Sequence, residues 1–155
     1  MVSLLAPDET SLAFIAVNMR QSDRDEIYNA IGHNNPFLLA RAALDASRVG
    51  SAVVACSGGQ PVAVMGHSPL RPGVSTAFAF STAAFPRVAL SLTRYALKVM
   101  RPDLIAGGCH RLECQSRIDH VSAHRWLEAM GFQREGLLRK FGSDGSDFLM
   151  YGATI

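Results

Sequence analysis

Apolar and polar positions fall along this chain in short blocks that can be read as separate elements. Residues 1–10 show no period, because Pro7, Asp8 and Glu9 interrupt the apolar positions, and they are expected to form an N-terminal arm. From Leu12 to Val17 the apolar residues are nearly continuous, which predicts a strand covered on both faces. Ser22 then offers an N-cap with Asp25 three residues on, and Gly32 offers a stop, so a helix is expected between them. Asn35 followed by Pro36 predicts the start of a second helix, ending near Gly50.

Two apolar runs around Ser57-Gly58-Gly59-Gln60 predict a hairpin, and Ser68 to Gly73, with two prolines and a glycine, predicts a loop. Ser75 to Phe80 reads as a fourth strand. The longest helix is expected from Phe85-Pro86 to Arg101-Pro102. Its apolar positions Leu90, Leu92, Tyr95, Ala96, Leu97, Val99 and Met100 cover over half the circumference and should lie deep against a sheet. Arg111 to Gln115 alternates as a fifth strand, and Asp119 is placed to cap a helix from Val121 to Met130 that Gly131 ends. Gln133 to Phe141 and Asp147 to Ala153 should pair around Ser143-Asp144-Gly145-Ser146. The sum is a mixed α/β order, β-α-α-β-β-β-α-β-α-β-β, forming a single domain over residues 11–155.

Composition narrows the classes. A hydrophobic fraction of 48% and a charged fraction of 18% describe an ordinary folded domain, and a chain of 155 residues can bury one core. No apolar run approaches the roughly 20 residues that span a bilayer, and Met1 to Pro7 is too short for a secretory signal, so a soluble protein made in the cytoplasm is expected. A net charge of +2 does not argue for nucleic acid. Cys56, Cys109 and Cys114 cannot all pair and read as free thiols. His120 and His124 stand four apart with Glu128 beyond, a spacing read as a solvated helix face; no metal is expected.

The segment RLECQSRIDHVSAHRWLEAMGFQREGLLRKFGSDGSDFLMYGA, Arg111 to Ala153, resembles the C-terminal half of GNAT-fold N-acetyltransferases, whose last helix typically reads A-x-x-x-Y-x-x-x-G-F. The resemblance implies a GNAT-like fold. It also implies three chemical parts: a glycine-rich loop at the start of the long helix whose N–H groups bind pyrophosphate, a Tyr that protonates the departing thiolate, and a base for the amine. Here the Tyr slot holds Leu127, which cannot donate a proton, and Tyr95 and Tyr151 are the available substitutes. The loop reads Ser81-Thr82-Ala83-Ala84-Phe85-Pro86-Arg87 without glycine, leaving Ser81, Thr82 and Arg87 as candidates to meet an anion. Glu113 is the candidate base, weighed against a salt bridge to an arginine.

Three segments, Asn18 to Ile27, Phe80 to Met100 and Cys109 to Ala153, also resemble a narrower group, the GNAT-like proteins of phages that include the small internal virion or core protein of podophages. In that group the position matching Leu127 is also leucine and the glycine-rich loop is also absent. The resemblance implies a non-catalytic, virion-associated protein made in a host, acting in genome delivery through contacts with other phage structural proteins or with itself, and needing no cofactor. The Ala- and Arg-rich composition and His120, in place of an Asn common before the last helix, depart from that pattern. The alternative expectation is an acetyl-CoA-dependent N-acetyltransferase with a degenerate cofactor loop.

Overall fold

Asp8 decides how the chain begins. Its carboxylate accepts the Ser11 N–H at 2.9 Å and caps a helix, α1 (Glu9–Val17). The apolar run expected as a strand is therefore helical, and it buries Leu12, Ile15 and Ala16 on one stripe. A continuous apolar run fits a buried helix as well as a buried strand, and the cap settles which forms. The first strand lies earlier, within the expected arm: β1 (Val2–Leu5) pairs antiparallel with Val54 to Ser57. The computed structural model describes residues 1–155.

Helix α2 (Gln21–Ile31) ends at Gly32, whose φ of 79° is the left-handed C-cap that glycine favours. Its N-cap is Arg20 rather than Ser22. Asn35 caps α3 (Pro36–Val49) by accepting the N–H groups of Phe37 and Leu38. The hairpin β2 (Ser51–Ser57) and β3 (Gln60–Arg71) turns at Gly58 and Gly59, both at positive φ. β3 runs through the expected loop as far as Arg71, carrying Pro69 near its end. It pairs with β4 (Val74–Ser81).

The expected long helix is broken. A 3-10 turn (Phe85–Arg87) leads into α4 (Ala89–Tyr95), a π-helical turn (Ala96–Met100) and α5 (Arg101–Ala106). Pro102 is the cause: lacking an N–H and clashing with the carbonyl four residues back, it forces a wider turn, and the Arg101 N–H bonds Ala96 O instead. The extra residue rotates the apolar stripe, so Val88, Leu92, Met100 and Leu104 are buried while Leu90, Leu97 and Val99 face solvent. The helix is thus one-sided, against the expectation of deep burial.

The remaining elements are β5 (Arg111–Arg117), α6 (Val121–Ala129), β6 (Gln133–Leu138) and β7 (Phe148–Thr154). The seven strands form one sheet in the order β1-β2-β3-β4-β5-β7-β6. Helices α1 and α3 cover one face through Leu12, Ile15, Leu39 and Leu44 against Val54, Val64 and Phe80. The other face is covered by α4 to α6 over Val53, Met65, Leu112 and Tyr151.

One junction differs from the rest. β4 and β5 are the only parallel neighbours, and they pair at Val74 with Arg111, Ser75 with Leu112 and Thr76 with Glu113, and no further. Beyond Thr76 each strand keeps its other neighbour, and the two part within the sheet. No helix is long and apolar enough to cross a membrane.

The helix reading is checked by a pair of truncations. Leu92 is 0% exposed and Leu90 62%. Urea unfolding should show Leu92→Ala losing about 2–5 kcal/mol and Leu90→Ala changing by less than about 0.5 kcal/mol; equal losses would mean the stripe has been misplaced.

Candidate functional site

Where β4 and β5 part, α2 fills the gap with two carboxylates. Asp23 and Glu26 are three residues apart and so share one helix face. Asp23 Oδ2 accepts the backbone N–H of Ser81 at 2.8 Å and its hydroxyl at 3.1 Å, at the end of β4. Glu26 Oε1 accepts the Arg117 N–H at 2.7 Å and the Ser116 hydroxyl, at the end of β5. One helix thereby holds both parted strand ends.

His120 stands between the two acids. Its Nε2 is 3.5 Å from Asp23 Oδ1 and its Nδ1 3.2 Å from Glu26 Oε2, yet neither contact is aligned as a hydrogen bond. The residue is only 5% exposed. A buried imidazole with both nitrogens unsatisfied calls for an explanation in function or in a bound partner. Arg20 Nε lies 3.0 Å from Asp23 Oδ1, and the guanidinium sits over the Phe85 ring at 4.7 Å. Burial raises the Asp23 carboxyl above its ordinary value, against the lowering pull of Arg20, His120 and the Ser81 N–H.

These groups line a cleft of about 380 Å³ that passes through the sheet between the parted strands. On the α2 and α3 side its wall includes Ile27, Ala46 and Phe78; on the other it includes Ala79, Leu112 and Leu127. Most of its lining is apolar, and the carboxylates stand at the passage itself.

The expected site residues are scattered by comparison. Ser81 reaches the cleft, but its N–H and hydroxyl are both taken by Asp23. Thr82 Oγ1 accepts the Ala84 N–H, and Arg87 is exposed and joins no ion pair. Glu113 lies outside the cleft lining. It is held at 2.8 Å by Arg111, which also grips Glu135 at 2.7 and 3.0 Å, so the salt bridge weighed against a base is what forms. Leu127 does face the cleft, while Tyr95 and Tyr151 do not line it. Tyr151 is buried and stacks on His124 at 5.5 Å. The two histidines are not a solvated face: His124 Nε2 meets Arg117 O at 2.9 Å, and His120 meets α2.

Whether coenzyme A fits can be judged part by part. The parted strands and apolar walls suit a thin acyl-thioester arm. The start of the long helix does not suit pyrophosphate. From Ser81 to Val88 the N–H of Ala83 alone is uncommitted, since Ser81 bonds Asp23, Thr82 bonds Val62 O, Ala84 and Phe85 bond Thr82, Arg87 bonds Ala84 O, Val88 bonds Phe85 O and Pro86 has none. Phe85 packs edge-on against Trp126 at 4.9 Å, and the Trp126 indole donates to Thr93 Oγ1 at 2.8 Å, which ties the turn before α4 to the body of α6.

Arg20, Asp23, Glu26, Ser116 and His120 were not among the expected site residues. Two acids at a spacing of three were a legible signal, because they place two charges on a face that also carries Ile27. Nothing in the sequence brought His120 to them.

No family model matches the chain, and no curated protein does. Solved structures are similar throughout its length. A candidate phosphinothricin N-acetyltransferase superposes with a TM-score of 0.77 at 16% identity, covering 99% of this chain and 98% of its own. The ribosomal-protein-S18-alanine N-acetyltransferase of Escherichia coli gives 0.71 at 16% identity over 100% and 94%. The structure of AAC(6')-Ib in complex with paromomycin and acetyl-CoA gives 0.67 at 16% identity over 99% and 93%. The chain has the fold of the GNAT acetyltransferases.

Asp23 makes the stability of the cluster pH-dependent. Its folded-state pKa is raised, so its contribution is full below the ordinary value of 3.8 and is lost as pH rises through the folded-state value. Asp23→Asn carries no such loss. Chemical unfolding between about pH 4 and pH 7 should show the stability difference, wild type minus variant, falling with pH; a rising difference would place the Asp23 pKa below that of the unfolded chain.

Proposed function

We propose that this protein is an N-acyltransferase that moves an acyl group from a thioester to a primary amine across the cleft between β4 and β5. The observation that carries the reading is the cleft itself: it lies where β4 and β5 part, is lined by apolar residues from both sides of the sheet, and holds two carboxylates and an unsatisfied imidazole. The likeness to acetyltransferases supports it.

The chain's own residues divide the work. The α4 and α6 side holds the thioester, because its walls are apolar and Leu127 and Leu112 exclude water from the reacting carbonyl. The amine comes from the α2 side, where the charges are. Glu26, more exposed than Asp23, takes a proton from the ammonium, and His120 and Asp23 behind it share the charge. The amine nitrogen then bonds the carbonyl carbon, the carbon–sulfur bond breaks, and the sulfur leaves with its electron pair. The new amide nitrogen sheds its second proton to solvent, and the first, held on Glu26, is the one available to the departing sulfur. With leucine at 127 there is no phenol to protonate the sulfur, and the Ser116 hydroxyl, bonded to Glu26, is the group that can relay the proton to it.

Phe85, Pro86 and the committed N–H groups give the donor's pyrophosphate little to bind. Acetyl-CoA and acetyl-pantetheine should therefore differ in kcat/KM by less than about tenfold, the worth of a single 1.4 kcal/mol contact.

A thiol-release assay with a panel of primary amines tests the reading. Glu26→Gln should lower kcat by about 10²- to 10⁴-fold, as for loss of a general base, while leaving donor affinity unchanged. If the folded protein acylates no amine with either donor, the non-catalytic, virion-associated reading stands in its place, since Leu127 and the filled helix start favour it.

A further inference from the structure

The half of the cleft between α2 and α3 has a composition that selects what can enter it. Helix α3 presents Ala42, Ala43 and Ala46 to it, α2 presents Ile27 and Ile31, and the sheet supplies Phe78 as its floor. Alanines spaced along one helix face leave room that larger side chains would have filled. Gly66 lines the cleft beside Phe78: a Cβ there would stand 2.5 Å from Ser51 O and 2.7 Å from Phe78 Cζ, so glycine leaves the space that the ring occupies. The charged residues of the whole cleft are Arg20, Asp23, Glu26 and Arg101, with His120 beside them. Arg101 belongs to the α4 and α5 side. Arg20 is already engaged by Asp23 and by the Phe85 ring. What faces the lobe is the Glu26 carboxylate at its inner end, next to an imidazole that is 95% buried in effect and makes no aligned hydrogen bond.

We infer that the acceptor is a primary amine with one compact apolar body, an alkylamine or arylalkylamine, whose body fills the lobe between α2 and α3 and whose ammonium meets Glu26 and His120 at the passage. This deepens the transferase reading and rests on it for the word acceptor; the amine site itself does not. The chemistry excludes neighbouring classes. An amino acid would bring a carboxylate to a lobe with no free cation. A polyamine or aminoglycoside would bury further ammonium groups among alanines and isoleucines, which is costly without partners. A single charge at one end and an apolar remainder match the wall they meet.

The test is calorimetry on the full chain with no thioester present, using propylamine, butylamine, pentylamine, hexylamine and phenethylamine, with spermidine and glycine as counter-probes. Affinity should rise about threefold to fourfold with each methylene, the increment for burying a CH₂. Ala42→Phe, at an exposed position on the rim, should abolish that chain-length dependence while leaving the unfolding midpoint unchanged; Ala30→Phe, on the opposite rim, serves if the first variant fails to fold. Affinity flat along the series, or spermidine binding as tightly as hexylamine, overturns the inference. If the alkylamines bind in this graded way but are never acylated, the amine site holds and the transferase reading falls. If amines are acylated without preference for an apolar body, the transferase reading holds and this inference falls.

Discussion

Two carboxylates on a single helix turn hold together a sheet that its own hydrogen bonds leave open. β4 and β5 share three residue pairs and then diverge, which leaves the Ser81 and Arg117 N–H groups at the strand ends without a ladder partner. Asp23 satisfies one and Glu26 the other. A buried N–H left unpaired costs on the order of 1–3 kcal/mol, so the gap could not persist in this form without α2. The same arrangement forces charge into the interior, and the raised Asp23 pKa is the sign of that cost. Cleft, charge cluster and strand ends are thus one construction.

How much of this could be read from the sequence depended on the range of the interactions. Local signals were dependable: Gly32 ends α2 in the left-handed conformation, Asn35 and Pro36 open α3, and Gly58-Gly59 turns the first hairpin. Leu12 to Val17 reads as a strand because a continuous apolar sequence carries no period to distinguish helix from strand, and Asp8, which reads as part of an arm, is its cap. Pro102 was read as a stop, whereas the π turn before it lets the helix run on to Ala106. The site lay beyond reach for another reason. Asp23, Ser81 and His120 are far apart in the chain, and only the parting of two strands brings them together.

The scaffold and its chemistry point in partly different directions, and the structure shows where. The similar folds are acetyltransferases, and that likeness is one of fold; the proposal of acyl transfer draws instead on the cleft and its charges. Against that stand two departures. Leu127 faces the cleft where a phenol would be expected, and the turn before α4 spends its N–H groups on itself. Both are consistent with a protein that keeps the passage through the sheet and recognises a donor by its arm.

A further result of the short β4–β5 ladder concerns movement. Four strands lie on one side of it and three on the other, so the sheet consists of two leaves joined along a spine of three rungs. Arg117 Nη1 donates to the Asp25 carbonyl, and the Ser143 N–H and hydroxyl bond Asn29 near the end of α2, so α2 clasps the second leaf at the end opposite the spine. Any guest that wedges the leaves apart from one side must alter the width met from the other, and the angle between them becomes a mechanical link between the two faces.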